Sequence, residues 1–122
     1  MAAHCYQDAQ RVIDAGLVLA PGDSALIESR GDVRAGSGDV KGALTDWRRS
    51  HEVNPESLSP LYRSAFVLER VGRVDEAVDA WRQIITWAED CGNAAEADWP
   101  KQELAQLLLA VSGHDPTRTA GN

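Results

Sequence analysis

The sequence predicts an all-α fold, a right-handed α-solenoid of helix-turn-helix repeats that ends in a C-terminal capping helix. The main observation is an internal repeat, in which the segment that begins at Gly38 recurs from Gly72, 34 residues further along. Apolar residues in both copies follow the spacing of one helix face, and glycine and proline separate the apolar runs. Because stacked helix pairs bury one continuous core, we expect a single domain over residues 1–113.

Residues 4–21 are predicted to form a half repeat that consists of one helix. Ala9 precedes Ala43 by the same 34 residues, and Ile13 precedes Trp47 by that distance. This helix therefore corresponds to the second helix of a later unit.

The first complete unit is predicted over residues 22–55, with its first helix at 24–36. The glycine-rich stretch that follows favours a turn, because Gly31 is not followed by the Gly-Lys-Ser/Thr of a phosphate-binding loop. The second helix begins after Gly38 and is expected to end before Pro55. Its apolar residues have the i, i+3, i+4, i+7 spacing of one helix face, and they are Val40, Ala43, Leu44 and Trp47.

The second complete unit is predicted over residues 56–91. Ser59 and Pro60 are typical of a helix start, as the N-cap and the first turn, and Gly72 is typical of a helix end. The second helix of this unit repeats the apolar face of its counterpart and extends it, at Val74, Ala77, Val78, Trp81, Ile84 and Ile85.

A capping helix is predicted over residues 97–112, because the last unit must cover its apolar face. Trp99, just before Pro100, resembles a hydrophobic staple at the entry to this helix. Residues 114–122 have no apolar pattern and are predicted to be a flexible tail. The apolar stripe of the capping helix consists of Leu104, Leu107, Leu108 and Val111.

Residues 4–91 resemble the tetratricopeptide repeat (TPR), a helix-turn-helix unit of 34 residues with small and aromatic residues at set positions. Two departures from the family pattern are Arg34, in place of an aromatic residue, and Glu89, in place of a terminal proline. The first departure implies that helix 24–36 is the least well anchored, and the second implies that the last repeat helix continues towards Cys91. The residues that carry the resemblance are Gly31, Gly38, Ala43, Trp47 and Pro55 in one unit and Ala65, Leu68, Gly72, Ala77 and Trp81 in the next.

The resemblance implies a groove whose concave wall is formed by the first helices of the units. Tyr62 and Phe66 are four residues apart, so they share a helix face that could receive an apolar side chain of a partner. In the alternative interpretation, Phe66 packs on the next helix and the charged residues are only solvated. The candidate partner-binding residues are Glu28, Asp32, Tyr62, Arg63, Phe66, Glu69 and Arg70.

Family members that bind the C-terminal carboxylate of chaperones use lysine, asparagine and arginine on these helices. Here the equivalent face carries the acidic residues Glu28 and Asp32. The sequence therefore disfavours a carboxylate ligand and favours a partner with arginine or lysine at that end of the groove.

Bulk composition disfavours several other functions. The net charge of −7 disfavours nucleic acid and anionic membranes as partners. No signal peptide or membrane span is recognised, which predicts a cytoplasmic protein with Cys5 and Cys91 as small buried thiols. The three histidines, His4, His51 and His114, lack metal-ligand spacing, so no metal or other cofactor is expected.

The sequence contains no catalytic constellation, so we expect a non-catalytic protein–protein interaction scaffold that binds a peptide or helix of a partner. The alternative is a self-associating accessory or regulatory subunit, in which the first helix pairs with a second copy of the chain to form a homodimer. A fragment of a longer TPR regulator is a further alternative.

Overall fold

The computed structural model describes residues 3–90 and 94–113, which form six α-helices and one short 3₁₀-helix and contain no strand. The prediction of an all-α chain with six helices is confirmed for these residues. The helices are α1 (Ala3–Leu19), α2 (Ser24–Gly36), α3 (Val40–Val53), α4 (Ser59–Arg70), α5 (Val74–Asp90) and α6 (Asp98–Gly113), and the 3₁₀-helix (Ala94–Ala97) precedes α6.

Each helix packs mainly on its neighbours in the sequence, from α1 on α2 through to α5 on α6. Helix pairs α2–α3 and α4–α5 therefore form two successive units, and α1 and α6 lie at the two ends of the series. This order of contacts is the one expected of a stack of repeats. The right-handed twist stays a prediction.

One glycine follows the first helix of each unit, and both helices end with the same backbone conformation. Gly38 and Gly72 have φ angles of 94° and 82°, in the left-handed region that favours glycine. The N–H of each glycine donates to the carbonyl three residues earlier, and the next N–H donates to the carbonyl five residues earlier. This pair of hydrogen bonds is the Schellman motif. The glycine-rich stretch is therefore a helix-to-helix turn, as predicted.

The start of α4 differs from the prediction. Its N-cap is Leu58, which makes no side-chain cap, whereas Pro60 lies in the first turn as expected. The hydroxyl of Ser59 donates instead to Oε2 of Glu28 on α2, at 2.6 Å. Ser59 therefore links two helices of neighbouring units and does not cap its own helix.

The predicted apolar faces of α3 and α5 form the core. Trp47 and Trp81 are both buried, and so are the small residues Ala43 and Ala77 that precede each of them by four positions. Val67 and Leu68 of α4 join Trp47 in one cluster. A second cluster consists of Leu61, Ala65, Trp81 and Ile84. The indoles therefore occupy the joints between helices, as the repeat predicts.

A charged cluster joins α2 to α3. Asp46 is only 2% exposed and accepts hydrogen bonds from Arg30 Nη2 at 2.8 Å and from Arg34 Nη1 at 2.9 Å. The hydrogen bond to Asp46 raises the pKa of the Arg30 guanidinium against the opposite effect of burial. The expectation that Arg34 leaves helix 24–36 poorly anchored is therefore wrong, because Arg34 supplies an ion pair in place of an aromatic contact.

The end of α5 agrees with the second departure from the family pattern, in which Glu89 replaces a terminal proline. Helix α5 continues past Glu89 to Asp90, as the missing proline implies. Predictions for Cys5, Cys91, His4, His114 and the tail 114–122 lie outside the described side chains and segments.

Helix α6 covers the core along a narrower stripe than predicted. Leu104 and Leu107 pack against the buried clusters, whereas Leu108 and Val111 are exposed. The physical reason is that α6 packs mainly on the single helix α5 and the short 3₁₀-helix, so only a narrow face of α6 is covered.

Candidate partner-binding groove

A cavity of about 330 Å³ lies between α2 and α4, and we call it the first-helix groove. Four of the seven predicted partner-binding residues line this groove. Arg63, Phe66 and Arg70 share one face of α4 because their spacing is i, i+3, i+7. The lining consists chiefly of Asp32, Ala35, Arg63, Phe66, Val67 and Arg70.

The acidic residues of α2 are already paired with α4. Arg63 Nε lies 2.6 Å from Oε2 of Glu28 and 3.2 Å from Oδ1 of Asp32. Glu28 also accepts the hydroxyl hydrogen of Ser59. Glu28 and Asp32 therefore do not present two free carboxylates, although one guanidinium between two carboxylates leaves a net negative charge. A cationic partner at this end would share these carboxylates with Arg63.

Asp32 has two structural bonds that the sequence did not reveal. Its Oδ1 accepts from the indole N–H of Trp47 at 3.2 Å, and the same N–H points at the Glu28 carbonyl at 3.2 Å. Burial raises the pKa of Asp32, and this effect outweighs the lowering by Arg63 and by the Trp47 hydrogen bond. Asp32 therefore supports the wall of the groove as well as lining it.

Glu69 has a similar structural use in the second unit. Its Oε2 accepts the indole N–H of Trp81 at 2.8 Å. Glu69 and Glu28 do not line the cavity between α2 and α4. The structure therefore gives both residues supporting contacts and does not bring them into the cavity with Arg63 and Arg70.

The two buried indoles use different acceptors because their surroundings differ. Trp47 lies so close to Gly31 that a Cβ added there would be 2.5 Å from Nε1 of the indole. The equivalent residue in the second unit is Ala65, which is fully buried and carries that methyl group. Trp81 bonds there to the side chain of Glu69, whereas Trp47 bonds to the side chain of Asp32 and also reaches the backbone of α2.

An aromatic patch, formed by Tyr62, Phe66 and Trp99, lies over the buried ring of Trp81. The ring centroids of Tyr62 and Trp99 are 5.6 Å apart, and those of Phe66 and Trp99 are 5.8 Å apart. Phe66 also meets Trp81 edge to face at 5.3 Å. Phe66 is nevertheless 44% exposed and Trp99 is 46% exposed, so part of the patch faces solvent.

Phe66 therefore combines the two interpretations that the sequence left open, since it packs on α5 and is also accessible. Tyr62 is more enclosed, and burial together with the negative charge of Glu96 raises the pKa of its phenol. Trp99 was missed as a site residue. It is the second residue of α6 and does not precede the helix as a staple would. Its contacts with α4 are tertiary and leave no local signal.

Arg70 is the groove residue whose charge is most available. In the described part of the chain it makes no ion pair, whereas Arg63 is bound to two carboxylates. It lies four residues after Phe66, so both side chains project from the same side of α4. The groove thus offers an exposed guanidinium beside an exposed aromatic ring.

Residues 3–90 and 94–113 contain no cluster of three or more potential metal-ligating side chains. No helix within the same ranges has the length and apolarity that a membrane crossing requires.

Comparison with known proteins gives one informative similarity. No family model matches the chain. The chain is 33% identical over 86 residues to human Superkiller complex protein 3, a protein that contains tetratricopeptide repeats. The match covers 69% of this chain but only 6% of the relative. This similarity and the repeated helix pairs are compatible with the resemblance to tetratricopeptide repeats.

Proposed function

We propose that this chain is a non-catalytic, TPR-like scaffold that binds a segment of a partner protein in the first-helix groove and on the aromatic patch. The observation that carries the proposal is the exposed face of Phe66 and Trp99 beside a cavity that Arg70 lines. Exposed aromatic residues next to arginine are typical of energetically important positions in protein interfaces.

The groove favours a partner with an apolar side chain and a nearby hydrogen-bond acceptor. The apolar side chain would cover Phe66 and Trp99, and the acceptor, a carboxylate or a backbone carbonyl, would bind Arg70. This arrangement differs from the cationic ligand expected from the sequence, because Arg63 already pairs with Glu28 and Asp32. The net charge of −7 supports a protein partner over nucleic acid.

The relative supports a role of this kind only in general terms. Its name places Superkiller complex protein 3 in a complex, and a scaffold that holds one member of an assembly is consistent with that name. Because this chain spans 6% of the relative, the partners of the relative are not assigned to it.

The test is capture of partners by the immobilised chain from a native lysate, followed by mass spectrometry and by affinity measurement with the purified partner. The double variant Phe66→Ala with Arg70→Ala should weaken this affinity by about tenfold or more, as expected for central interface residues. The matched control is Val71→Ala with Arg82→Ala, which removes an equally exposed apolar residue and an exposed arginine outside the groove. Equal weakening by both double variants would contradict the proposal, and so would full retention by the groove variant.

Self-association is a second candidate, favoured by the exposed apolar residues of α1. Val12 is 73% exposed and Leu19 is 88% exposed, and the two lie on one face of the helix at i, i+7. Pairing of this face with a second copy would bury both side chains.

A further inference from the structure

A second groove lies between α3 and α5, and we call it the second-helix groove. It has a volume of about 440 Å³ and contains residues from both helices and from α4. This volume is within the range of sites that accept small ligands or the side chains of a peptide. The residues that matter for its chemistry are Leu44, Leu68, Ala80, Arg48, Glu52 and Asp79.

The lining combines apolar and charged groups. Leu68 is buried, and Leu44 and Ala80 are partly buried against the first core cluster. Glu52 and Asp79 are exposed, one on α3 and one on α5. A bound side chain would therefore meet hydrocarbon inside the groove and carboxylates at its edges.

The charges of the groove favour a cation. Neither Glu52 nor Asp79 makes an ion pair with any residue in the described ranges, unlike Glu28 and Asp46. Glu76 also lines the groove, but its carboxylate is held by Arg73 at 2.7 Å. With Arg48 as the one arginine or lysine among the described lining residues, negative charge is in excess.

The second-helix groove continues along the same two helices. A neighbouring cavity of about 340 Å³ shares His51 and Gln83 with it and is also lined by Trp87. Nδ1 of His51 donates to the carbonyl of Ser57 at 3.0 Å, and the imidazole meets Trp87 edge to face at 5.6 Å. The histidine ring is thus held in place where the two cavities meet.

We propose that the second-helix groove binds a partner segment that carries a lysine or an arginine. The aliphatic stem of that side chain lies over Leu44 and Ala80, and its charged head binds a carboxylate at the edge of the groove, Glu52 or Asp79. An acidic segment would be repelled, and a wholly apolar segment would leave the two carboxylates without partners. The site is separate from the first-helix groove, so it does not depend on the function proposed there.

The experiment uses the full chain labelled with ¹⁵N and two probes, acetyl-Leu-Lys-Leu-amide and acetyl-Leu-Glu-Leu-amide. The lysine peptide should shift the amide resonances of Leu44, Ala80 and Gln83 saturably, with a Kd on the order of 1 mM. The glutamate peptide should bind at least about fivefold more weakly. Equal binding of both peptides, shifts that map elsewhere, or no shift at about 10 mM peptide would overturn the proposal.

Charge-neutralising variants make the test specific. The double variant Glu52→Gln with Asp79→Asn should weaken binding of the lysine peptide about fivefold. The control Glu56→Gln with Asp75→Asn removes the same charge outside the groove and should retain full affinity. Equal weakening by the control would show a general field effect and would overturn the site.

Two further measurements test whether the peptide binds in the first-helix groove instead, and whether a second copy of the chain occupies the second-helix groove. The variant Phe66→Ala with Arg70→Ala should bind the lysine peptide normally, and loss of binding would contradict the separation of the two sites. Resonances of Leu44 and Ala80 should not depend on protein concentration in the absence of peptide. If they do, a second copy of the chain covers the groove and the proposal is wrong.

Discussion

At the scale of single residues, Gly31 decides how closely Trp47 approaches α2. A methyl group at Gly31 would lie 2.5 Å from the nitrogen of the Trp47 indole, which is only 3% exposed. We expect Gly31→Ala to lower the free energy of unfolding by roughly 1–2 kcal/mol, because the overlap outweighs the better helix propensity of alanine. Urea denaturation measures this change.

The control for this prediction is Gly22→Ala. A Cβ at Gly22 meets nothing within 4 Å, and its φ angle is not in the left-handed region. This substitution should leave stability unchanged or raise it by up to about 1 kcal/mol. If Gly31→Ala behaved in the same way, the close contact with Trp47 would have no energetic weight.

Asp32 gives a prediction with a defined pH dependence. Burial raises its pKa in the folded chain above the ordinary value of 3.8. Protonated Asp32 therefore contributes stability that is present below 3.8 and is lost as the pH rises through the raised pKa. Asp32→Asn avoids this loss and keeps an oxygen to accept from Trp47. We expect the variant to melt at a higher temperature than the wild type at neutral pH.

The difference between the two melting temperatures should shrink as the pH falls below 3.8, because Asp32 then becomes protonated in the unfolded as well as the folded state. Glu56→Gln, a loop substitution that also removes one negative charge, is the control and should show no such trend. A lower melting temperature of Asp32→Asn at neutral pH would mean that the ion pair with Arg63 outweighs burial.

At the scale of elements, the two units differ in the side chains that join their first helix to their second helix. In the first unit Arg30 and Arg34 of α2 bind the buried Asp46 of α3. The residues 34 positions later are Ser64, Leu68 and Ala80. The second unit therefore packs small and apolar side chains where the first unit has an ion-pair cluster.

Breaking the cluster should be costly. Asp46→Ala leaves two partly buried guanidinium groups without their carboxylate, and we expect a loss of roughly 3 kcal/mol in the free energy of unfolding. The triple variant Arg30→Ser, Arg34→Leu and Asp46→Ala copies the second unit and should recover at least about half of this loss. Urea denaturation compares the two. A triple variant as unstable as Asp46→Ala would show that the interfaces are not interchangeable.

A feature was predicted correctly where residues close in the sequence determine it. The turns at Gly38 and Gly72 and the buried positions of Trp47 and Trp81 were predicted, because glycine conformation and helical periodicity depend on nearby residues. Trp99 and Arg34 were misread, because their contacts depend on which side chains meet across a helix interface, and periodicity alone does not specify this. Asp46 carried no local signal of its burial, because it lies outside the predicted apolar face of α3, and only the packing of α2 buries it.

At the scale of the whole molecule, the first and last helices of the series, α1 and α6, both expose apolar residues that a second copy of the chain could cover in a dimer. If the chain self-associates through α1, sedimentation equilibrium should show a dimer at high micromolar concentration. Val12→Ser with Leu19→Ser should convert it to a monomer, because the exposed face of α1 becomes polar. Leu109→Ser changes a similarly exposed residue of α6 and should leave the dimer intact. A wild-type chain that stays monomeric under these conditions removes this candidate.

The sequence by itself determined the repeat, the helices, the turns between them and the indoles of the core, since these features arise from short-range periodicity and backbone preference. Only the tertiary structure decided which charges are used up and which remain available. Arg63 pairs with both Glu28 and Asp32, while Glu52 and Asp79 stay unpaired among the described residues. The reason is physical: ion pairs and aromatic contacts depend on distances of a few ångströms between side chains from different helices, and packing sets those distances.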